Sequence, residues 1–137
     1  MLLSIVSSVN FFLRVVLGLC IGLLLGAVIF TATPARAQSC GYAQCWGAVA
    51  IGPGSAYGFS HGYGSERDAI NVAQQGCQYD CNVVRTFYNT CGAIAVADNG
   101  GWGWGWHAQR ELAESTAMNY CMDQGRNCRV RVWSCSK

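Results

Sequence analysis

The chain has 137 residues, with nine Lys+Arg against seven Asp+Glu, a formal charge of +2, nine Cys, seventeen Gly and two Pro. That length holds one compact domain at most, which excludes a multidomain enzyme. A charged fraction of 12% beside many aromatics and cysteines argues against a disordered tail, and so small a positive excess gives no case for a nucleic-acid binder.

The first element in chain order is a leader. Val15 to Phe30 is an unbroken run of apolar and small residues, preceded by Arg14 and followed by Thr31-Ala32-Thr33-Pro34-Ala35-Arg36-Ala37-Gln38. A cationic residue, an apolar core, a helix-breaking Pro and a small-x-small site are the order of a secretory signal, so cleavage is predicted between Ala37 and Gln38. The competing reading is an uncleaved anchor, since the run approaches the lower limit for a membrane span, but Pro34 and Ala35-Arg36-Ala37 have no role in an anchor. Cys20 stands mid-run behind Leu19, which does not fit a lipoprotein site, and leaves with the leader.

Residues 1–37 thus read as a signal peptide and residues 38–137 as one mature domain of 100 residues, secreted or periplasmic. Arg14 and Arg36 go with the leader, so seven cations remain against seven acids and the mature net charge is zero. Nucleic acid and anionic membrane are therefore not expected partners, and membrane contact is expected only through an uncleaved leader. Eight cysteines remain, at 40, 45, 77, 81, 91, 121, 128 and 135, an even number that reads as a disulfide framework in an oxidising compartment.

The mature chain is internally duplicated. Trp46-Gly47-Ala48-Val49-Ala50-Ile51 reappears as Cys91-Gly92-Ala93-Ile94-Ala95-Val96, and Tyr57-Gly58-Phe59 as Trp102-Gly103-Trp104. Ala69, Ala73 and Cys77 match Ala113, Ala117 and Cys121, and Cys81-Asn82-Val83-Val84 matches Cys128-Arg129-Val130-Arg131. Each copy, about 46–90 and 91–137, has a short apolar run (46–51, 91–96) and a stretch alternating aromatics with Gly or Ser (56–63, 101–106). Both patterns predict strands.

A segment of period 3.6 then predicts a helix in each copy. In the first, Ala69, Ile70, Ala73 and Cys77 share a face, and Ser65-Glu66-Arg67-Asp68 offers a Ser N-cap with acids in the first turn. In the second the stripe is Leu112, Ala113, Thr116, Ala117, Tyr120 and Cys121. A strand rich in Val and aromatics closes each copy (82–88, 129–134). A half of this size cannot bury its own apolar face, which predicts an α+β fold. Two tandem strand-strand-helix-strand repeats would share one mainly antiparallel sheet, with two helices packed on it.

Eight cysteines allow 105 pairings. Equivalent cysteines should form equivalent bridges, which predicts Cys77–Cys81 and Cys121–Cys128. Cys91 opens the second copy and Cys135 closes it, on strands that could lie side by side, and that pair leaves Cys40 with Cys45.

The [WC]-G-A-[VI]-A-[IV] openings, the aromatic-Gly second strands, the Ala-rich helices ending in Cys and the terminal Val132-Trp133-Ser134-Cys135 carry a resemblance from Cys45 to Cys135. The chain resembles the small exported bacterial family catalogued as domain of unknown function 4189. The resemblance implies a signal-bearing protein of proteobacterial or mycobacterial type without assigned catalytic residues. Trp104 as an added aromatic, and the lack of a Ser or Thr cap near Ala108-Gln109, are departures that leave the expected fold intact.

Three constellations could carry chemistry. Gly58-Phe59-Ser60-His61-Gly62 fits G-x-S-x-G, with Asp98 and His107 following in the order Ser, Asp, His. A nucleophile elbow needs a strand-to-helix turn in a parallel sheet, whereas Ser60 sits inside an alternating strand, so a Gly/Ser strand face is the favoured reading. His61 and His107 are the only histidines, no C-x-x-C occurs, and each mature Cys has a disulfide partner, so neither a metal nor another cofactor is expected. Trp102, Trp104 and Trp106 alternate with glycines and project from one sheet face. That stripe could stack on sugar rings or on a partner, but a domain of this size needs large side chains for its core, so packing under the helices is expected. Arg129, Arg131 and Trp133 are read as sharing one solvated, edge-protecting strand face, with a weak anionic docking patch as the alternative.

The expected function is that of an exported, disulfide-stabilised, non-catalytic and monomeric module that binds another macromolecule, a protein or a cell-envelope glycan. The alternatives are a small envelope-acting hydrolase using Ser60 or His61, and glycan binding through Trp102, Trp104 and Trp106.

Overall fold

The computed structural model describes residues 40–137; the leader and its expected cleavage site lie outside the described residues. The first repeat runs β1 (Trp46–Ile51), a 3-10 turn (Pro53–Ser55), β2 (Tyr57–Tyr63), α1 (Glu66–Gln75) and β3 (Val83–Tyr88). The second runs β4 (Cys91–Val96), β5 (Trp102–His107), α2 (Arg110–Met122) and β6 (Arg129–Cys135). The fold is α+β and duplicated, with four disulfides.

The strands divide into two three-stranded antiparallel sheets, β2-β1-β3 and β5-β4-β6, one per repeat, rather than joining in one sheet. The composition of the central strands supplies the reason. In β1, Ala48 and Ala50 face α1 with Ala69 and Ala73, while Val49 and Ile51 face the other way into a cluster with Phe87, Ile94 and Val132. In β4, Ala93 and Ala95 face α2 with Ala113, Ala117 and Cys121, and Ile94 joins the intersheet cluster. A strand apolar on both faces must be covered on both faces. A single sheet carrying both helices on one side would leave Val49, Ile51 and Ile94 in water. The layers are therefore helix, sheet, sheet, helix.

Small residues bring each helix close to its sheet. A Cβ on Gly58 would lie 1.8 Å from the Ala73 carbonyl oxygen, and one on the equivalent Gly103 would lie 2.2 Å from that of Ala117. The helices thus rest on the glycines of β2 and β5, which sends the aromatics of those strands to the opposite face. Trp102 and Trp104 pack at the margin of the intersheet cluster, which corrects the expectation that they lie under the helices.

The ends follow local rules. Ser65 caps α1, its hydroxyl accepting from the Asp68 N–H at 3.2 Å, whereas Gln109 gives α2 no side-chain cap. The structure brings together all four expected cysteine pairs, Cys40–Cys45, Cys77–Cys81, Cys91–Cys135 and Cys121–Cys128. Cys91 and Cys135 stand directly opposite each other on β4 and β6. Among the described residues no helix is long and apolar enough to cross a membrane.

Candidate functional site

Ser60 lies on the face of β2 that meets α1, only 3% exposed. Its hydroxyl accepts from the Ala48 N–H at 3.0 Å and donates to the Ala69 carbonyl at 2.7 Å. The β1–β2 register slips just beyond it, where Gly62 takes a φ of 75°, and the Gly62 N–H donates to the Ser136 hydroxyl at 2.8 Å. Ser60 thus pairs a β1 amide at an irregularity in the ladder and ties strand to helix.

The other residues of the Ser-Asp-His pattern are engaged elsewhere. Asp98 accepts from Asn127 at 2.8 Å and from Arg129 at 3.2 Å, and His107 Nδ1 accepts from the Gln109 N–H at 3.0 Å. His61 lines a separate cleft of about 470 Å³ with Tyr57, Phe59 and the β6 residues 131–135. Among the described residues no group of three or more His, Cys, Asp or Glu side chains could hold a metal ion.

Arginines cover three of the aromatic surfaces. The Arg85 guanidinium carbon lies 5.0 Å from the Trp102 ring centroid, Arg131 lies 4.9 Å from Tyr57, and Arg110 lies 3.5 Å from Trp133. Tyr57 and Trp102 are equivalent positions of the two repeats. The duplication relates the two rings but not the two arginines, since Arg85 matches Val132 in the register; each arginine reaches from one repeat to the other. A slip in the β4–β6 register, with Ile94 opposite Val132 but Ala95 opposite Val130, interrupts the alternation on β6. Arg129, Arg131 and Trp133 consequently do not form one face: Arg129 pairs with Asp98, Arg131 reaches Tyr57, and Trp133 lies under Arg110.

A cleft of about 710 Å³ lies between the two hairpin loops, lined by Gly54, Ser55, Asp98, Trp102, Arg129 and Arg131. Arg131 donates to the Ser55 carbonyl there, and the Arg129–Asp98 pair is more than half exposed on both sides, which makes it a weak ion pair.

A second cleft, of about 510 Å³, runs beside β3. Trp46 and Tyr88 meet in it with ring centroids 5.0 Å apart at 55°, and Trp104 and Trp106 stand 6.2 Å apart and nearly parallel at 16°. Trp106 is 59% exposed. Glu66 is the one charged residue of the lining and accepts from the Thr86 hydroxyl at 2.6 Å. The Thr90 hydroxyl is buried in the same lining without a protein partner.

Period-two alternation placed Trp104 and Trp106 together, but Trp46, Tyr88 and Glu66 come from three other elements. The available signal for Trp46 is the break in the repeat, since it stands where the second copy has Cys91.

A disulfide-stapled α+β domain of two packed repeats, with aromatic clefts along its sheet edges, defines the class of this protein. Residues 46–135 match the family described as Domain of unknown function (DUF4189), and the chain belongs to it. No curated protein matches the chain. The solved NMR structure of Rv1813c from Mycobacterium tuberculosis is similar, with 29% identity over 66% of this chain and 74% of that one and a TM-score of 0.53.

Proposed function

We propose that the protein is an exported, non-catalytic binding module acting in the periplasm or outside the cell, with another macromolecule as its partner. The carrying observation is the aromatic cleft beside β3, where Trp106 remains largely exposed next to Trp104. Large aromatics left at the surface with polar groups between them are the composition of recognition sites. The four bridges suit an oxidising compartment, and so does the leader. The hydrolase reading is disfavoured because Ser60 is buried with its proton donated to Ala69.

A second reading, glycan binding, draws on the near-parallel Trp104 and Trp106 rings, which could stack on sugars. Affinity capture from envelope and culture fractions, using oxidised protein from the full chain beside its Trp106→Ala variant, tests the proposal. A protein retained by the parent and lost by the variant supports protein recognition, and retention on insoluble cell wall alone moves the assignment to glycan. A parent that retains neither overturns the proposal.

A further inference from the structure

We propose that the cleft formed by Trp46, Tyr88, Trp104, Trp106 and Glu66 receives an arginine side chain presented by a partner protein. This rests on the binding-module reading and names the chemistry that the same cleft would recognise. Three features of the molecule point there.

The first is charge. Glu66 is the one charged residue lining the cleft, and no cation lines it. One Glu66 oxygen accepts from Thr86, and the second has no partner in the described structure. A carboxylate in the same lining as three tryptophans and a tyrosine adds its field to the ring quadrupoles, and both favour a cation.

The second is internal precedent. The protein already places a guanidinium against Trp102, Tyr57 and Trp133, in each case from one of its own arginines. The cleft beside β3 has the same aromatic lining and, in addition, a carboxylate, yet none of the described arginines enters it. Arg85 lies in the adjoining groove, committed to Trp102.

The third is the polar inventory. A planar guanidinium can lie flat on an indole while its in-plane N–H groups meet a carboxylate in fork geometry, a combination that a compact ammonium does not match. Glu66 offers that carboxylate, one oxygen of which has no protein partner in the described structure.

The test follows the indole N–H resonances of the oxidised protein, produced from the full chain, during titration with short peptides. An N-acetylated, C-amidated Gly-Arg-Gly peptide is compared with its citrulline counterpart, a neutral isostere, and with a chitin oligosaccharide. The arginine peptide should shift the Trp104 and Trp106 signals and bind about fivefold or more tightly than the citrulline peptide. Glu66→Gln, which keeps an acceptor for Thr86, should remove most of that preference. Equal binding of the two peptides overturns the proposal, as does the absence of any shift, or a shift with the oligosaccharide alone. A partner that the parent and Glu66→Gln capture equally well refutes the arginine site while the binding module stands. An arginine preference without any captured partner refutes the binding module and leaves the site.

Discussion

The Ser60 hydroxyl donates to the Ala69 carbonyl at 2.7 Å, joining the second strand of the first repeat to its helix. The same oxygen accepts from Ala48, so one side chain connects β1, β2 and α1 at the point where the ladder slips. Ser60→Ala leaves that buried N–H without a partner and should cost about 1–3 kcal/mol, read as a lower urea midpoint at unchanged slope. Partner capture per folded molecule should be unaffected, since Ser60 faces the helix and not the aromatic cleft.

Gly103 holds α2 against β5. A Cβ there would meet the Ala117 carbonyl oxygen at 2.2 Å and the Cys121 nitrogen at 2.3 Å, both backbone atoms that cannot rotate away. Gly103→Ala should therefore destabilise by about 3 kcal/mol or more, or give no folded protein. Circular dichroism melts beside those of Ser60→Ala would rank the two.

Phe87 fills the space between two glycines at the same repeat position. Cβ atoms on Gly47 and Gly92 would lie 2.6 Å and 2.5 Å from its ring. Phe87→Ala should cost about 3–5 kcal/mol. Gly92→Ala should be destabilising alone and markedly less so in the Phe87→Ala background, because its three nearest contacts are all ring atoms of Phe87 and Trp104. A double-mutant cycle by chemical denaturation checks this, and additive costs would refute the shared space.

The tryptophans should respond unequally to iodide. Trp102 and Trp104 are partly buried at the intersheet cluster, Trp106 is largely exposed, and Trp133 lies under Arg110. Quenching should be heterogeneous, and Trp106→Phe should remove the most accessible component.

Of the bridges, Cys91–Cys135 spans 44 positions and Cys77–Cys81 spans four. On chain-entropy grounds, replacing the first pair by alanines should cost about 4 kcal/mol and the second about 2 kcal/mol. Denaturation of the two double variants measures the difference, and mass mapping of a non-reduced digest should return the four pairs.

Much of this was legible in the residues because the relevant physics is local or repeats. The period-two and period-3.6 patterns mark six strands and two helices, Ser65 marks the start of α1, and the duplicated cysteines limit their own pairing through symmetry. The apolar alternation in Gly47-Ala48-Val49-Ala50-Ile51 even contains both faces of the central strand, small toward the helix and large away from it. That the large face would meet a second sheet depended on how the two repeats pack, which no one repeat specifies.

The candidate site lies further from the sequence. Alternation determined that Trp102, Trp104 and Trp106 share a face, but the close approach of α2 to Gly103 and Gly105 decided which face it is. The slip on β6 parted Arg131 from Trp133, because one extra residue reverses the side on which every later side chain emerges. Trp46 and Tyr88 are ladder partners in the first sheet and Glu66 belongs to the helix on it, whereas Trp106 joins them in one lining from the second sheet. The sequence by itself determined the repeated strand and helix patterns, and through their symmetry the pairing of Cys77 with Cys81 and Cys121 with Cys128. Only the tertiary structure decided the aromatic cleft, because contacts between distant segments leave no period in the chain.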